Sequence, residues 1–248
     1  MAITKGKIIT VTSVKGGVGK TTFLLTLASI YKKQNKKVLI VDMDLFSGDI
    51  EAILDRPSKK DIYTLFEDII NNNFYEIENY ITNYDDNLDF ISAPKDPRYA
   101  GKINGRFLNL LFNKVSSLYD VILVDTNHFL NEVNLVTFDS SNQIVYLINN
   151  NSMNLKNMRT MISIFSDMHM NDYKIILYEA RDKNKAIFQK FDIKNFIKDN
   201  IDYIIPSYFY IKDIDRYILD GKVLDANNKL LRGRNAHIFE HIAKDLIK

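Results

Sequence analysis

Residues 12–22 read Thr12-Ser13-Val14-Lys15-Gly16-Gly17-Val18-Gly19-Lys20-Thr21-Thr22, between a short apolar run and a segment of helical periodicity. Three glycines let the backbone take φ values closed to other residues, so that consecutive N–H groups can turn onto one anion. The pattern is that of a P-loop. In it Lys20 reaches the β and γ phosphates of a nucleotide and the Thr21 hydroxyl takes a place on Mg²⁺. The helix expected from Thr21 sets its positive dipole end behind the same phosphates. Gly16, Gly17, Val18, Gly19, Lys20, Thr21 and Thr22 are therefore the expected nucleotide-binding residues. A glycine-rich turn that binds nothing is the weaker account, because this string stands between a strand and a helix.

On the N-terminal side, residues 8–12 form a β-branched run with too few polar positions for a half-exposed strand, which predicts a central one. On the other side Phe23, Leu24, Leu27, Ala28, Ile30 and Tyr31 recur at helical spacing, and Lys32-Lys33 suits a helix C-terminus. A second buried strand, residues 38–41, ends in Asp42-Met43-Asp44. Carboxyl ends of strands are where α/β sheets gather ligand chemistry, and alternation places Asp42 and Asp44 on one side of a continuing strand. The competing account is an acid that merely opens a loop. Val121-Ile122-Leu123-Val124-Asp125 is four aliphatics closed by an acid, a Walker B strand whose Asp125 holds the magnesium shell directly or through water. Thr21, Asp42 and Asp125 make up the expected metal set.

Elsewhere the chain alternates strand and helix. Asp61 is placed to cap a helix bearing Ile62, Leu65, Phe66, Ile69 and Ile70. Residues 74–84 form a weaker helical candidate, 88–92 a short strand and 107–118 an amphipathic helix. A strand at 143–148 precedes a helix capped by Ser152, whose methionines serve as core filler. A strand at 173–178 precedes a helical run at 186–197, and after residues 203–206 and 213–219 a final helix at 236–247 completes the chain. The stripe Ile238, Phe239, Ile242, Ala243, Leu246 and Ile247 is expected to pack on the core, since its polar face is mixed in sign. His237 and His241 lack further ligands for a metal, and His128 reads as a polar loop residue rather than a general base.

The whole predicts an α/β fold, a mostly parallel twisted sheet with helices on both faces, as one domain over residues 1–248. Apolar residues make up 46% of the 248, ordinary for a globular chain. Thirty-three basic residues against 31 acidic ones leave +2, so no global field demands nucleic acid or an acidic membrane. The chain has no cysteine, which excludes disulfides and thiolate metal sites and fits a reducing cytosol. No apolar run is long enough to span a bilayer, so a membrane contact would be peripheral.

Lys15-Gly16-Gly17-Val18-Gly19-Lys20-Thr21-Thr22 departs from the common P-loop by placing Val14 where the first glycine stands and a lysine after it. This resembles the deviant Walker A loop of the ParA/MinD family, which implies that Lys15 reaches across a homodimer interface to the partner's ATP. Residues 38–49 resemble the family's switch I, which gives Asp44 the role of polarising the attacking water; Lys15, Lys20 and Asp44 are thus the expected catalytic set. Tyr203-Ile204-Ile205-Pro206 resembles the segment that borders the purine, with Pro206 against the base. Where the family carries an adenine-reading Asn, this chain has Glu179-Ala180-Arg181; Glu179 could accept from the adenine amino group but, ionised, cannot donate to the ring nitrogen. The family's γ-phosphate-sensing glycine is absent from Thr126-Asn127-His128-Phe129, which leaves the hydrolysis rate open.

Residues 42–49, 90–94 and 119–125 look most like the CpaE/TadZ branch, which positions Tad-type pili. That likeness implies a weak, Mg²⁺-dependent ATPase that dimerises around ATP and places a cell-surface or pilus assembly apparatus through a protein partner. Such a protein works in the cytoplasm, recruited to a cell pole or the inner face of the membrane. A DNA partition ATPase is the less favoured alternative given the near-neutral charge, and a degenerate nucleotide-binding scaffold is the third.

Overall fold

The aliphatic runs around residues 9, 40 and 123 pair with one another because each needs cover on both faces, which only an interior position in a sheet supplies. The computed structural model describes residues 5–179, 188, 190–209, 211, 214–224 and 236–248. Its strands are β1 (Lys7–Ser13), β2 (Val38–Met43), β3 (Thr82–Asp85), β4 (Leu88–Ile91), β5 (Val121–Thr126), β6 (Gln143–Asn149), β7 (Tyr173–Tyr178) and β8 (Tyr203–Ile205). They form one sheet in the order β3-β4-β2-β5-β1-β6-β7-β8. Every pairing is parallel except β3 with β4.

Alternation along the strands sorts the core into two layers. Ile9, Val11, Ile40 and Leu123 face α1 (Lys20–Lys33) and the C-terminal helix. Ile8, Leu39, Val41, Ile122 and Val124 face the opposite layer. After α2 (Ile50–Ile53), that layer is built by α3 (Ile62–Ile70) and α4 (Leu108–Val115). Next come α5 (Glu132–Ser140), α6 (Ser152–Asp167), α7 (Lys190–Ile197), α8 (Ile214–Leu219) and the C-terminal helix α9 (His237–Leu246). Of the helices, α6 and α7 enclose a third apolar cluster over β6 and β7. The α/β architecture with a mostly parallel sheet is as the sequence predicts.

Several local expectations change. Residues 74–84 are not a helix: Ile77–Tyr80 is a single 3₁₀ turn, and Thr82–Asp85 runs antiparallel to β4. The short polar side chains there bond locally instead of extending a helix: the Asn83 amide donates to Asp85 O and Asp89 Oδ1, and Asn87 N donates to Asp85 Oδ1. Asn151, not Ser152, caps α6, accepting from Met153 N at 3.0 Å. Asp61 caps α3 as expected, accepting from Thr64 N at 2.8 Å, and its second oxygen accepts from Lys95 N. Met158 is fully buried and Met161 packs against the same cluster, so these two α6 methionines fill core as expected. Part of the helical run expected at 186–197, together with Ala180 and Arg181, lies outside the described residues.

The apolar stripe of α9 packs on α1. Phe239 sits between Phe23 and Phe209, with ring centroids 6.2 and 5.0 Å away, and the Tyr31 hydroxyl donates to Ala243 O at 2.8 Å. Phe239→Ala is expected to cost about 3–5 kcal/mol, the usual range for deleting a buried phenyl group, as measured by urea denaturation.

Candidate functional site

The end of β1 and the start of α1 are joined by residues 14–19, and the φ angles explain the composition of this loop. Gly17 and Gly19 stand at φ +76° and +99°, in open space, so it is backbone conformation and not crowding that requires glycine there. The Ser13 hydroxyl donates to Lys15 O at 2.7 Å and holds the first turn, while the Lys15 side chain stands exposed. Val18 is buried and anchors the loop, and Lys20 is only 9% exposed at the first turn of α1.

Beside the loop stands Asp125, because β1 pairs with β5 in the register Val11↔Asp125. Its Oδ2 accepts the Thr21 hydroxyl at 2.6 Å, so P-loop helix and Walker B strand are joined by one hydrogen bond. Its Oδ1 is buried with no hydrogen-bond partner. Burial pushes the Asp125 carboxyl up to about 7, against the Thr21 bond and the Lys20 charge, which pull it down; Asp44 and Asp49 add to the rise. An orphaned buried oxygen next to a bonded hydroxyl fits a hard cation. Among the described residues no group of three or more His, Asp or Glu could hold a metal by itself. A Mg²⁺ ion here would therefore depend on Thr21, Asp125, phosphate oxygens and water, the coordination this ion favours.

Asp42 lies in register with Asp125 across β2 and β5. It is buried, and burial followed by the Asp125 charge raises its carboxyl well above the usual range. Both its oxygens accept backbone donors, Oδ1 from Asp44 N at 3.1 Å and Oδ2 from Ile50 N at 3.2 Å. This turn ends β2 at Met43, so the expected continuation of the strand through Asp44 does not occur. Asp42 instead closes the loop of residues 44–50, and Asp44 is carried half-buried on that loop near Asp125. Gly48 packs so closely on Asp42 that a Cβ there would lie 2.6 Å from Oδ2. The sequence reading missed this clamp; the acid-rich loop containing one glycine was its only trace.

On the far side of the P-loop a cavity of about 170 Å³ is walled by Gly17, Gly19, Thr22, Tyr178, Phe209 and Phe239, beside the end of β7. Glu179 follows β7, where its N–H donates to Ile205 O and its carboxylate accepts from Ser207 N at 3.4 Å, next to Pro206. The structure thus brings Glu179 and Pro206 together at the strand ends, although neither lines this cavity.

Residues 127–129 follow β5 and form a knot absent from the sequence reading. Thr12 donates through its hydroxyl to Asn127 O at 3.2 Å. Asn127 Oδ1 accepts both Phe129 N and the amide of Asn134, which also donates to Phe129 O at 2.7 Å. Asn134 is fully buried on α5, held there by the Asn131 cap. The only signal for it was the pair Asn131 and Asn134 three residues apart. His128 projects from this loop beside Gly16 and against the Phe129 ring.

The buried carboxylate gives a signed pH effect. Asp125 titrates near 7 in the folded protein and near 3.9 when unfolded, so the native state holds more protons between these values and nucleotide-free stability falls as pH rises from 4 to 7. Asp125→Asn is expected to flatten that slope in denaturation series across this range.

A family model described as an AAA domain matches residues 6–177. The septum site-determining protein MinD of Helicobacter pylori is 31% identical over 122 residues, 48% of this chain and 44% of that protein. The chain spans less than half the length of the curated relatives it matches. The ParA family ATPase from Chlorobium tepidum TLS has the same fold, with a TM-score of 0.81 at 18% identity over 96% of this chain and 98% of that one. MinD complexed with Mg-ADP from Pyrococcus horikoshii OT3 gives 0.76 at 20% identity, over 97% and 96%. The chain therefore belongs to the AAA-domain family, and its fold is that of the ParA and MinD proteins.

Proposed function

We propose that this chain is a nucleotide-operated dimerisation switch: it binds ATP with Mg²⁺, hydrolyses it weakly, and acts as one domain over its 248 residues. The observation that carries this reading is the Thr21–Asp125 bond beside an unpartnered buried carboxylate oxygen. In this reading backbone N–H groups of residues 16–21 bind the phosphates, Lys20 neutralises them, and Thr21 and Asp125 hold the ion. When bound, Mg²⁺ neutralises charge shared between phosphate oxygens. Asp44 orients the water, carried into place by the Asp42-closed loop. Lys15 stays exposed in one copy because its role is in the other. One added charge pair at ~4 Å with an effective dielectric near 20 contributes on the order of 4 kcal/mol before desolvation, enough to tie dimerisation to the γ-phosphate.

The output we assign to this switch is the placement of a cell-surface or pilus assembly apparatus through a protein partner, in the cytoplasm or at the inner face of the membrane. The likeness of residues 42–49 and 119–125 to the CpaE/TadZ branch supports it. Among the described residues no helix is long and apolar enough to cross a membrane. A second reading, a nucleotide-binding scaffold without turnover, is favoured by the Asn127–Asn134 knot where the family uses a mobile glycine. A DNA partition role ranks below both, because the net charge is only +2.

Two measurements test this. Light scattering is expected to find a dimer with ATP and Mg²⁺ and a monomer with ADP, with Lys15→Ala abolishing the shift; the same mass under both nucleotides overturns the switch. Phosphate release is expected above background and lost in Asp44→Ala. Release equal to that variant's establishes the scaffold reading instead.

A further inference from the structure

The imidazole of His128 stands beside the phosphate loop and makes no hydrogen bond among the described residues. A Cβ built on Gly16 would lie 3.9 Å from both its Cε1 and its Nδ1, so this edge of the ring faces the space that a side chain at Gly16 would occupy, one residue after Lys15. The ring lies against that of Phe129, with centroids 4.3 Å apart, and is otherwise exposed. With Phe129 and Leu130 it also borders a cavity of about 230 Å³ against α6.

The backbone that carries His128 is fastened to the strand that feeds the loop. Thr126 donates through its hydroxyl to Val11 O at 3.1 Å, and Thr12 donates to Asn127 O at 3.2 Å. The Phe129 N–H is already spent on Asn127 Oδ1. Residues 126–129 are therefore held in one frame with β1, and this segment has a backbone donor that is committed and an imidazole that is not. A donor placed in advance of its ligand loses little freedom when the ligand arrives.

The two ends of the site give a bound nucleotide its direction. The cavity walled by Tyr178, Phe209 and Phe239 is the apolar end and suits a base. Asp125 and the Thr21 hydroxyl form the ion end, which is where a terminal phosphate belongs. His128 follows Asp125 by three positions, adjoins Gly16 and does not line the base cavity, so it stands at the ion end. A terminal phosphoryl group spreads its charge over three oxygens, which leaves room for donors besides Lys20 and an ion. We infer that His128 donates a ring N–H to the terminal phosphate of a nucleoside triphosphate, so that a side chain of the segment after β5 tells triphosphate from diphosphate. The inference rests on the nucleotide reading above and deepens it. The imidazole acts as a fixed donor and gives up no proton. Because His128 and Gly16 belong to the same copy, the contact needs no second protomer.

The test is a fluorescence titration, with Mg²⁺ present, of N-methylanthraniloyl derivatives of ADP and of the nonhydrolysable β,γ-imido analogue of ATP. His128→Ala is expected to weaken the triphosphate derivative by about tenfold and to leave the ADP derivative within about twofold, the signature of one lost hydrogen bond to a charged acceptor. His128→Gln, which keeps a side-chain N–H, is expected to recover most of that loss. The same difference between His and Ala is expected in a Lys15→Ala background, because the contact lies within one copy. Retained binding of the ADP derivative reports an intact fold in each variant. An equal loss for both derivatives, as a merely structural role would give, overturns the inference. So does an unchanged triphosphate affinity, a Gln variant as weak as the Ala one, or a difference that vanishes in the Lys15→Ala background. Binding of neither derivative by the unmodified chain is a distinct result: it overturns the nucleotide reading, and this inference with it.

Discussion

The parallel pairing of β1 with β5 is the constraint on which the rest of this molecule depends. Parallel strands have their carboxyl ends on the same edge of a sheet, so the loop that leaves β1 and the acid that ends β5 must meet. The register Val11↔Asp125 makes that meeting specific, and the Thr21 hydroxyl closes it at 2.6 Å. A slip of one residue would turn Asp125 toward the opposite face and leave the phosphate loop without its acid.

The same register brings Asp42 alongside Asp125, two carboxylates in a buried setting. Burial raises both carboxyls above the usual range, and the Asp125 charge raises that of Asp42 further. The structure relieves the two acids differently. Asp42 spends its oxygens on backbone donors of the following loop and becomes the fastening of that loop, with Gly48 pressed against it. Asp125 keeps one oxygen unpartnered. The division ties both Asp42 oxygens to the loop and leaves one oxygen of Asp125 open beside Thr21.

The segment after β5 is held by side-chain amides. Asn127, Phe129 and Asn134 are joined by three hydrogen bonds and tied to β1 through Thr12, with Asn134 Oδ1 left buried and unpartnered. Such a set resists rearrangement, because moving the loop exposes several buried polar groups at once. It also holds Phe129 and Leu130 outward over the cavity beside α6.

Much of this was legible in the order of residues alone. Glycine spacing, aliphatic runs closed by acids, and helical periodicity in α1 and α9 each rest on local stereochemistry or on one-dimensional patterning, and they determined the fold class and pointed to the loop at residues 14–19 that the structure sets beside Asp125. Segments dominated by short polar side chains were not legible in this way: residues 74–84 became a turn and an edge strand because Asn and Asp bond to whichever backbone group the fold brings near. The occupation of Asp42 by the backbone of residues 44–50, the Asn127–Asn134 knot and the cavity against α6 were decided only by the tertiary structure. Each depends on partners brought together by strand order and loop closure, and no periodicity in the chain encodes the direction in which an amide or a carboxylate finally points.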